Sequence, residues 1–298
     1  KSELFMPAPF TADDKTAGAG TAENAAKSGV AAILAKDSDE AIAKAKQLLS
    51  VLPANNLETA GNDYYMENDA AVSADLKGIE LISSVADKES VIELYKQFGT
   101  SAVTAIGSLN WRTAGFVATN NGAKLTADDS AKIARFVTLC DAYSIPVVTF
   151  VDSEGFEKSS AAELAGSIRD SAKLAQAYAS ATTAKIAVVT GKAYGSAYVA
   201  LASTAAGSDF TFAWEGAVIA PTTPEAAVVF LNGVSEDNAK QAQEYADNEA
   251  DAFTAAANGY VDRVITAEDT KSALTSAIEA TSSKRVVTPA KKHVNFVY

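Results

Sequence analysis

From about residue 100 to residue 280 the chain alternates two patterns: short apolar runs rich in β-branched residues, and longer stretches whose apolar positions return at helical spacing. The first kind predicts strands and the second amphipathic helices. Ala102 to Leu109 and Thr113 to Thr119 read as two strands joined by a hairpin-like turn at Asn110-Trp111-Arg112. Thr126-Ala-Asp-Asp129 has capping-box spacing with Asp in place of Glu, and opens a helix to about Tyr143. Pro146 leads a strand, Val147 to Val151, and Ser160-Ala-Ala-Glu163 repeats the capping spacing ahead of a long helix to about Ser180. Lys185 to Thr190 is a third buried run, bounded by Gly191, and Ser196 starts a helix of small residues that Ala205-Ala206-Gly207 closes. Phe210 to Ala213 is a short strand. Thr222-Thr-Pro224-Glu225 is a helix start with Pro at its first position. Helices from Glu236 to about Tyr245 and from Asn248 to Ala257 lead into Tyr260 to Ile265, and Thr266-Ala-Glu-Asp269 caps a last helix through about Ala280. Strands alternating with helices predict an α/β fold with a layered sheet core.

Upstream the pattern is less regular. Residues 1–35 open irregularly and turn Ala-rich from Thr21. Ser38 is the candidate cap of a helix from Asp39 to about Leu52, with Ile42, Ala45, Leu48, Leu49 and Leu52 on one side and Pro53 ending it. Residues 53–73 are polar and turn-rich, as a linker or ordered surface loop would be, with Tyr64-Tyr65-Met66 as a patch that pins it down. Lys88 to Phe98 reads as helical.

Composition narrows the chemistry. At 298 residues the chain can bury a large core. No apolar run approaches the ~20 residues of a membrane span, and the N-terminus lacks the layout of a signal peptide, so a soluble cytoplasmic protein is expected. The net charge of −12 repels phosphate and argues against nonspecific nucleic-acid binding. The one cysteine, Cys140, sits at helical spacing with Ile133, Phe136 and Val137 and reads as core. The one histidine, His293, lies in the tail, so the main body holds no histidine triad and no zinc site of ordinary composition. Chemistry must then use backbone donors, carboxylates, Tyr, Lys or a carried cofactor.

The stretch Ala184 to Ser203, AKIAVVTGKAYGSAYVALAS, offers backbone donors. It reads as strand, glycine-containing turn and helix, and the first N–H groups of that helix lack intrahelical partners. With the positive end of the helix dipole they suit an anionic oxygen, of a phosphate or of an enolate. Strand-Gly-helix turns also occur as plain connections.

Six segments in order resemble the carboxyltransferase subunits of biotin-dependent acyl-CoA carboxylases and decarboxylases, of the crotonase superfamily. They are residues 134–156, 192–203, 207–220, 224–230, 255–274 and 283–298, and residues 28–56 resemble the end of the family's N-terminal half with its bridging helix. The resemblance implies a crotonase-like carboxyltransferase domain (ββα superhelix, layered sheets flanked by helices). It divides the chain into 1–60 (the end of an N-terminal half plus the bridging helix), a linker loop at 61–78, and a C-terminal half at 79–298.

It also implies a function: movement of CO₂ between carboxybiotin and a short-chain acyl-CoA, with backbone N–H groups at Gly195, Ser196 and Ala197 gripping the ureido oxygen. Tyr194, Tyr198, Val199, Gly155 and Phe156 are the implied cofactor contacts. Biotin would arrive on a biotin carboxyl carrier protein, and a CoA thioester would be the substrate. A biotin carboxylase or membrane decarboxylase subunit, an N-terminal carboxyltransferase half and a homo-oligomer of two to six copies are the implied partners. Ser196 stands where the family usually has Gly, and Glu154 where it has Pro. Two other readings are open: a structural subunit with a decayed site, or a biotin-independent crotonase-type enzyme, for which Asp152, Glu154 and Glu225 are the candidate acids and bases. Trp214 reads as core or interface, Asp262 and Arg263 as locally paired, and Lys284-Arg285 with Lys291-Lys292-His293 as a solvated tail docking on a neighbouring subunit.

Overall fold

The computed structural model describes residues 20–55, 58, 66–121 and 124–287. The opening segment, Tyr64-Tyr65, and the tail with Lys291, Lys292 and His293 lie outside the described residues. Ahead of the sheet come α1 (Ala22–Lys27), α2 (Ser38–Val51) and α3 (Gly78–Val85). The eight-stranded sheet begins with β1 (Ile92–Leu94), β2 (Val103–Leu109) and β3 (Arg112–Ala118), each antiparallel to the next. The chain then passes through α4 (Ala127–Ala142), β4 (Val147–Ser153), α5 (Ser160–Leu164), α6 (Ser167–Ser180), β5 (Lys185–Tyr194) and α7 (Ser196–Leu201). It ends with β6 (Phe210–Trp214), β7 (Val218–Ala220), α8 (Pro224–Asn232), α9 (Asn238–Asn248), α10 (Ala252–Ala257), β8 (Arg263–Ile265) and α11 (Thr270–Thr281). From β3 onward the order β3-β4-β5-β6-β8 is parallel, and β7 pairs with β5 off that path.

The alternation along β4 explains the layering. Val147 and Val151 face a core built on Ile133, Phe136, Val137 and Cys140 of α4 and Leu174 and Tyr178 of α6. Val148 and Phe150 face the opposite core, with Leu81, Ile82 and Val85 of α3 and Leu274 and Ile278 of α11. Strands covered on both faces read as continuous apolar runs, which is why they stand out in the sequence. The β2–β3 hairpin is also as expected: Asn110 and Trp111 both have positive φ, 48° and 64°. Their amides donate to Asp87 at 2.9 Å each. Thr126 and Asp129 form the capping box. Trp214 is core, its indole N–H bonded to Thr270 Oγ1 at 2.8 Å.

Several expectations are corrected. Residues 88–98 form no helix: Glu89 and Tyr95 have positive φ, and Ile92 and Leu94 pair with Ile106 and Thr104 of β2. Pairing with a free sheet edge overrides local helical preference there. Asp37, not Ser38, caps α2, accepting the Glu40 amide at 2.8 Å. The apolar side of α2 is divided, with Leu48 and Leu52 packed against the core and Ile42 and Leu49 exposed. Ser159 rather than Ser160 caps α5, and Gly166, at φ 94°, divides the expected long helix in two. The last helix starts at Thr270, so 266–269 form the turn before it. Lys284 is no solvated tail residue: its ammonium pairs with Asp209 at 2.8 Å and reaches Thr183 O at 3.1 Å.

Candidate functional site

The predicted site residues converge where β4 and β5 end. β4 runs level with β5 from Val147↔Lys185 to Val151↔Val189, and the ladder resumes at Ser153↔Ala193. Beyond this shift Lys192, Ala193 and Tyr194 pair with Val218, Ile219 and Ala220 of β7. Gly195 then turns the chain at φ 55°, ψ −126°, and α7 begins at Ser196. A side chain would strain this conformation, and glycine adopts it freely. Ser196 has no positive φ, so the serine sits in ordinary backbone.

The turn leaves fewer donors than the sequence suggested. Gly195 N–H is already spent on Ala220 O at 2.9 Å, as an extension of the β5–β7 ladder. That removes Gly195 from the donor set and gives it a conformational role. The first intrahelical bond of α7 runs from Val199 N–H to Gly195 O at 3.2 Å, so the amides of Ser196, Ala197 and Tyr198 precede it and have no intrahelical acceptor. They have no other backbone acceptor among the described residues. Ala197 is buried, whereas Ser196 and Val199 are exposed.

Beside these amides runs an open, largely apolar groove of about 660 Å³. Phe156, Ser196, Val199 and Ala200 form one wall, and Ser171 and Ala175 of α6 the other. Phe156 is presented by Gly155, which has φ 109°. The carbonyl of Gly155 accepts the Leu125 amide at 2.9 Å, and its own N–H meets Ser153 Oγ at 3.2 Å. The groove thus gathers Phe156, Ser196 and Val199 but not the two tyrosines. Tyr194 is buried against Ala220 and Ala250. The Tyr198 hydroxyl turns away to donate to Tyr260 O at 2.6 Å, and burial pushes it up to about 12. Neither hydroxyl is a ready proton donor. Sequence reasoning did not find the α6 wall, although Ser167, Ser171, Ala175 and Ala179 are small residues spaced four apart, the signature of one helix face.

Two of the three acidic candidates are also engaged, and the third, Glu225, is exposed on α8 and does not line the groove. Asp152 Oδ1 accepts Lys192 N–H at 2.8 Å, and Glu154 pairs with the Lys192 ammonium at 2.7 Å. That hydrogen bond and charge hold Glu154 below the usual carboxylate range and Lys192 above its own. A carboxylate so stabilised is a weak base. Among the described residues no group of three or more His, Cys, Asp or Glu could hold a metal ion, and no helix is long and apolar enough to cross a membrane.

Comparison with known proteins agrees with this geometry. The chain is 35% identical to the methylmalonyl-CoA carboxyltransferase 12S subunit of Propionibacterium freudenreichii subsp. shermanii, over 99% of its own length and 62% of that protein's. It is 33% identical to the methylmalonyl-CoA decarboxylase subunit alpha of Veillonella parvula, with the same coverage. The crystal structure of the transcarboxylase 12S hexamer, with methylmalonyl-coenzyme A and methylmalonic acid bound, superposes with a TM-score of 0.90 at 33% identity, over 99% of this chain and 62% of that one. The chain therefore spans somewhat under two thirds of the length of these relatives. Residues 10–296 match the carboxyl transferase domain, and the chain belongs to that family.

Proposed function

We propose that this chain carries the biotin-facing part of a carboxyltransferase that moves CO₂ between carboxybiotin and a short-chain acyl-CoA. The observation that carries the reading is the run of unspent amides at the start of α7, of which Ser196 and Ala197 come first, beside an apolar groove. A bicyclic ring with a single polar carbonyl fits such a place: the ring against Phe156 and Val199, the oxygen toward the amides. Biotin, when bound, supplies the carboxyl group for transfer and a ureido oxygen on which negative charge collects. The amides at Ser196 and Ala197 stabilise that charge by hydrogen bonds fixed in advance, so little reorganisation is needed as it develops. With the ring seated between them, Phe156 and Val199 form an apolar surround in which those bonds strengthen.

The engagement of Asp152 and Glu154, with Glu225 outside the groove, favours this reading over a biotin-independent crotonase chemistry, which needs a free carboxylate in the cleft. The acyl-CoA and its own oxyanion site belong, in this proposal, to an N-terminal carboxyltransferase half. We take 1–60 as the end of such a half with its bridging helix, 61–78 as linker and 79–298 as the C-terminal half. The exposed side chains of Phe230, Leu231 and Val234, 88%, 64% and 89% accessible, support a protein surface covering the end of α8 and the residues just after it. A biotin carboxyl carrier protein and a biotin carboxylase or membrane decarboxylase subunit complete the proposed assembly, with an oligomer between dimer and hexamer.

The test is transfer of isotope-labelled carboxyl from methylmalonyl-CoA to biotinylated carrier by the full protein in its native assembly. Transfer abolished by avidin supports the reading. Label that never reaches the carrier, or acyl-CoA turnover indifferent to avidin, overturns it.

A further inference from the structure

Strand β5 changes partner in mid-course. Ile186 to Val189 pair with β6, and Lys192 to Tyr194 pair with β7. On its β4 side Thr190, Gly191 and Lys192 lie opposite the single residue Asp152, since Val151 is level with Val189 and Ser153 with Ala193. A bulge of this kind bends its strand and re-aims the residues beyond it. Beyond the bend Gly195 N–H meets the Ala220 carbonyl, and the unspent amides of α7 follow directly.

Peptide groups off the ladder make a bulge a soft place in a sheet unless something else holds them. Lys192 is held at both ends. Its backbone N–H donates to Asp152 Oδ1 at 2.8 Å, and its ammonium pairs with Glu154 at 2.7 Å. Asp152 is itself fixed, its amide donating to Thr119 Oγ1 at 3.1 Å. Its carboxylate lies so close to Gly191 that a Cβ there would come 2.6 Å from Asp152 Cγ. Asp152 and Glu154 flank the last residue of β4, so one strand end grips one lysine twice, three residues before the turn.

We propose that Asp152 and Glu154 are positioning residues: by holding Lys192 they fix the β5 bulge, and so aim the Ser196 and Ala197 amides. The kinetic half of this inference rests on the carboxyltransferase reading, and the structural half does not.

The experiment compares E154Q, K192M, the double variant and D152A in the full protein as assembled. It follows amide hydrogen exchange together with kcat and KM for carboxyl transfer. The ion pair is partly exposed, so E154Q and K192M should each speed exchange at Gly195 about threefold, with the double variant no worse than either single. Loss of the charge-assisted bond in D152A should speed it about tenfold or more. Exchange at Ile186 to Val189 should stay unchanged, and kcat should fall in step with Gly195 exchange while KM moves less. Unchanged exchange at Gly195 in both E154Q and D152A overturns the proposal, as does faster exchange with kcat intact. If the unsubstituted protein transfers no carboxyl group, the carboxyltransferase reading fails and exchange alone decides the clamp.

Discussion

Gly195 lies against the carbonyl of Pro221 so closely that a Cβ at residue 195 would come 2.9 Å from that oxygen. The obstacle is backbone at a paired strand end, which cannot swing aside as a side chain would. Gly195→Ala therefore adds a clash to an unfavourable positive φ. The expected cost is about 1–3 kcal/mol, taken up by displacement of the turn rather than by global unfolding. A displacement of ~1 Å at a catalytic constellation costs on the order of 100-fold in rate. Gly195→Ala should melt only a few degrees below the unsubstituted protein, while the proposed carboxyl transfer drops by that factor. A variant with normal kcat would show that the turn tolerates the shift.

Lys132 predicts a pH dependence. It is 2% exposed on α4, with its ammonium donating to Gly99 O at 3.3 Å and Ala102 O at 2.8 Å. Burial pushes it down from 10.5 to about 8, against the opposing pull of Asp129 and Glu93. Below pH 8 the lysine is charged in folded and unfolded chains alike, and the burial cost is present in full. Between pH 8 and 10.5 the folded chain has released the proton that the unfolded chain still holds. Stability contributed by this group therefore rises with pH across that window, at up to ~1.4 kcal/mol per unit and about 3 kcal/mol in all. Denaturant unfolding of the unsubstituted protein and of Lys132→Met at several pH values isolates the effect as the difference between the two curves. Parallel curves would mean that Lys132 keeps its proton.

The fold was legible wherever local chemistry and tertiary demand agree. Asn110-Trp111-Arg112 marks the hairpin; the turn itself is Asn110 and Trp111, both at positive φ with Asp87 accepting their amides, and Arg112 already belongs to β3. Thr126 and Asp129 satisfy each other without help from elsewhere. The sequence misleads where a partner outside the segment decides. Val91 to Leu94 could wind as a helix, but the open edge of β2 takes Ile92 and Leu94 as a strand. Nothing in the run LAGSI signals that Gly166 adopts φ 94° and starts a second helix. At the site, the glycine-containing turn was legible because glycine has fixed conformational consequences, whereas Phe156 entered only with the family resemblance. That Gly195 N–H is spent on Ala220 was not legible, because the acceptor lies on a strand that pairs only after the β5 bulge. For the same reason Lys192 passed unnoticed: its two carboxylate partners are 38 and 40 residues away.

Trp214 and Thr270 offer a check on the second core. Both are buried, and the 2.8 Å bond between the indole N–H and Thr270 Oγ1 joins β6 to the start of α11. Thr270→Val keeps the volume and leaves the indole N–H without that acceptor. A buried donor stripped of its partner costs about 1–3 kcal/mol. Urea unfolding followed by tryptophan fluorescence should show a midpoint shift of that size without a change in slope. The protein has two tryptophans and Trp111 is 47% exposed, so the buried Trp214 should dominate the blue-shifted emission. An unshifted midpoint would mean that the indole finds another acceptor.

Ser196→Pro separates the donor from the helix that carries it. Proline at the first helical position is well tolerated, since that residue's N–H has no intrahelical partner and its φ is already near the proline value. Ser196 occupies this position in α7, and its side chain is exposed to the groove. The substitution thus deletes the first of the unspent amides of α7 while leaving the helix and the Gly195 turn in place. Removal of one oxyanion donor costs roughly 100- to 1,000-fold in kcat. Ser196→Gly, which keeps the amide, serves as the control and should retain activity within about threefold, the small change reflecting backbone freedom. If Ser196→Pro transfers carboxyl groups as fast as Ser196→Gly, with both variants folded by circular dichroism, the amide at 196 does not face the developing charge. The oxygen would then have to be held from Ala197 alone or from the complementary half.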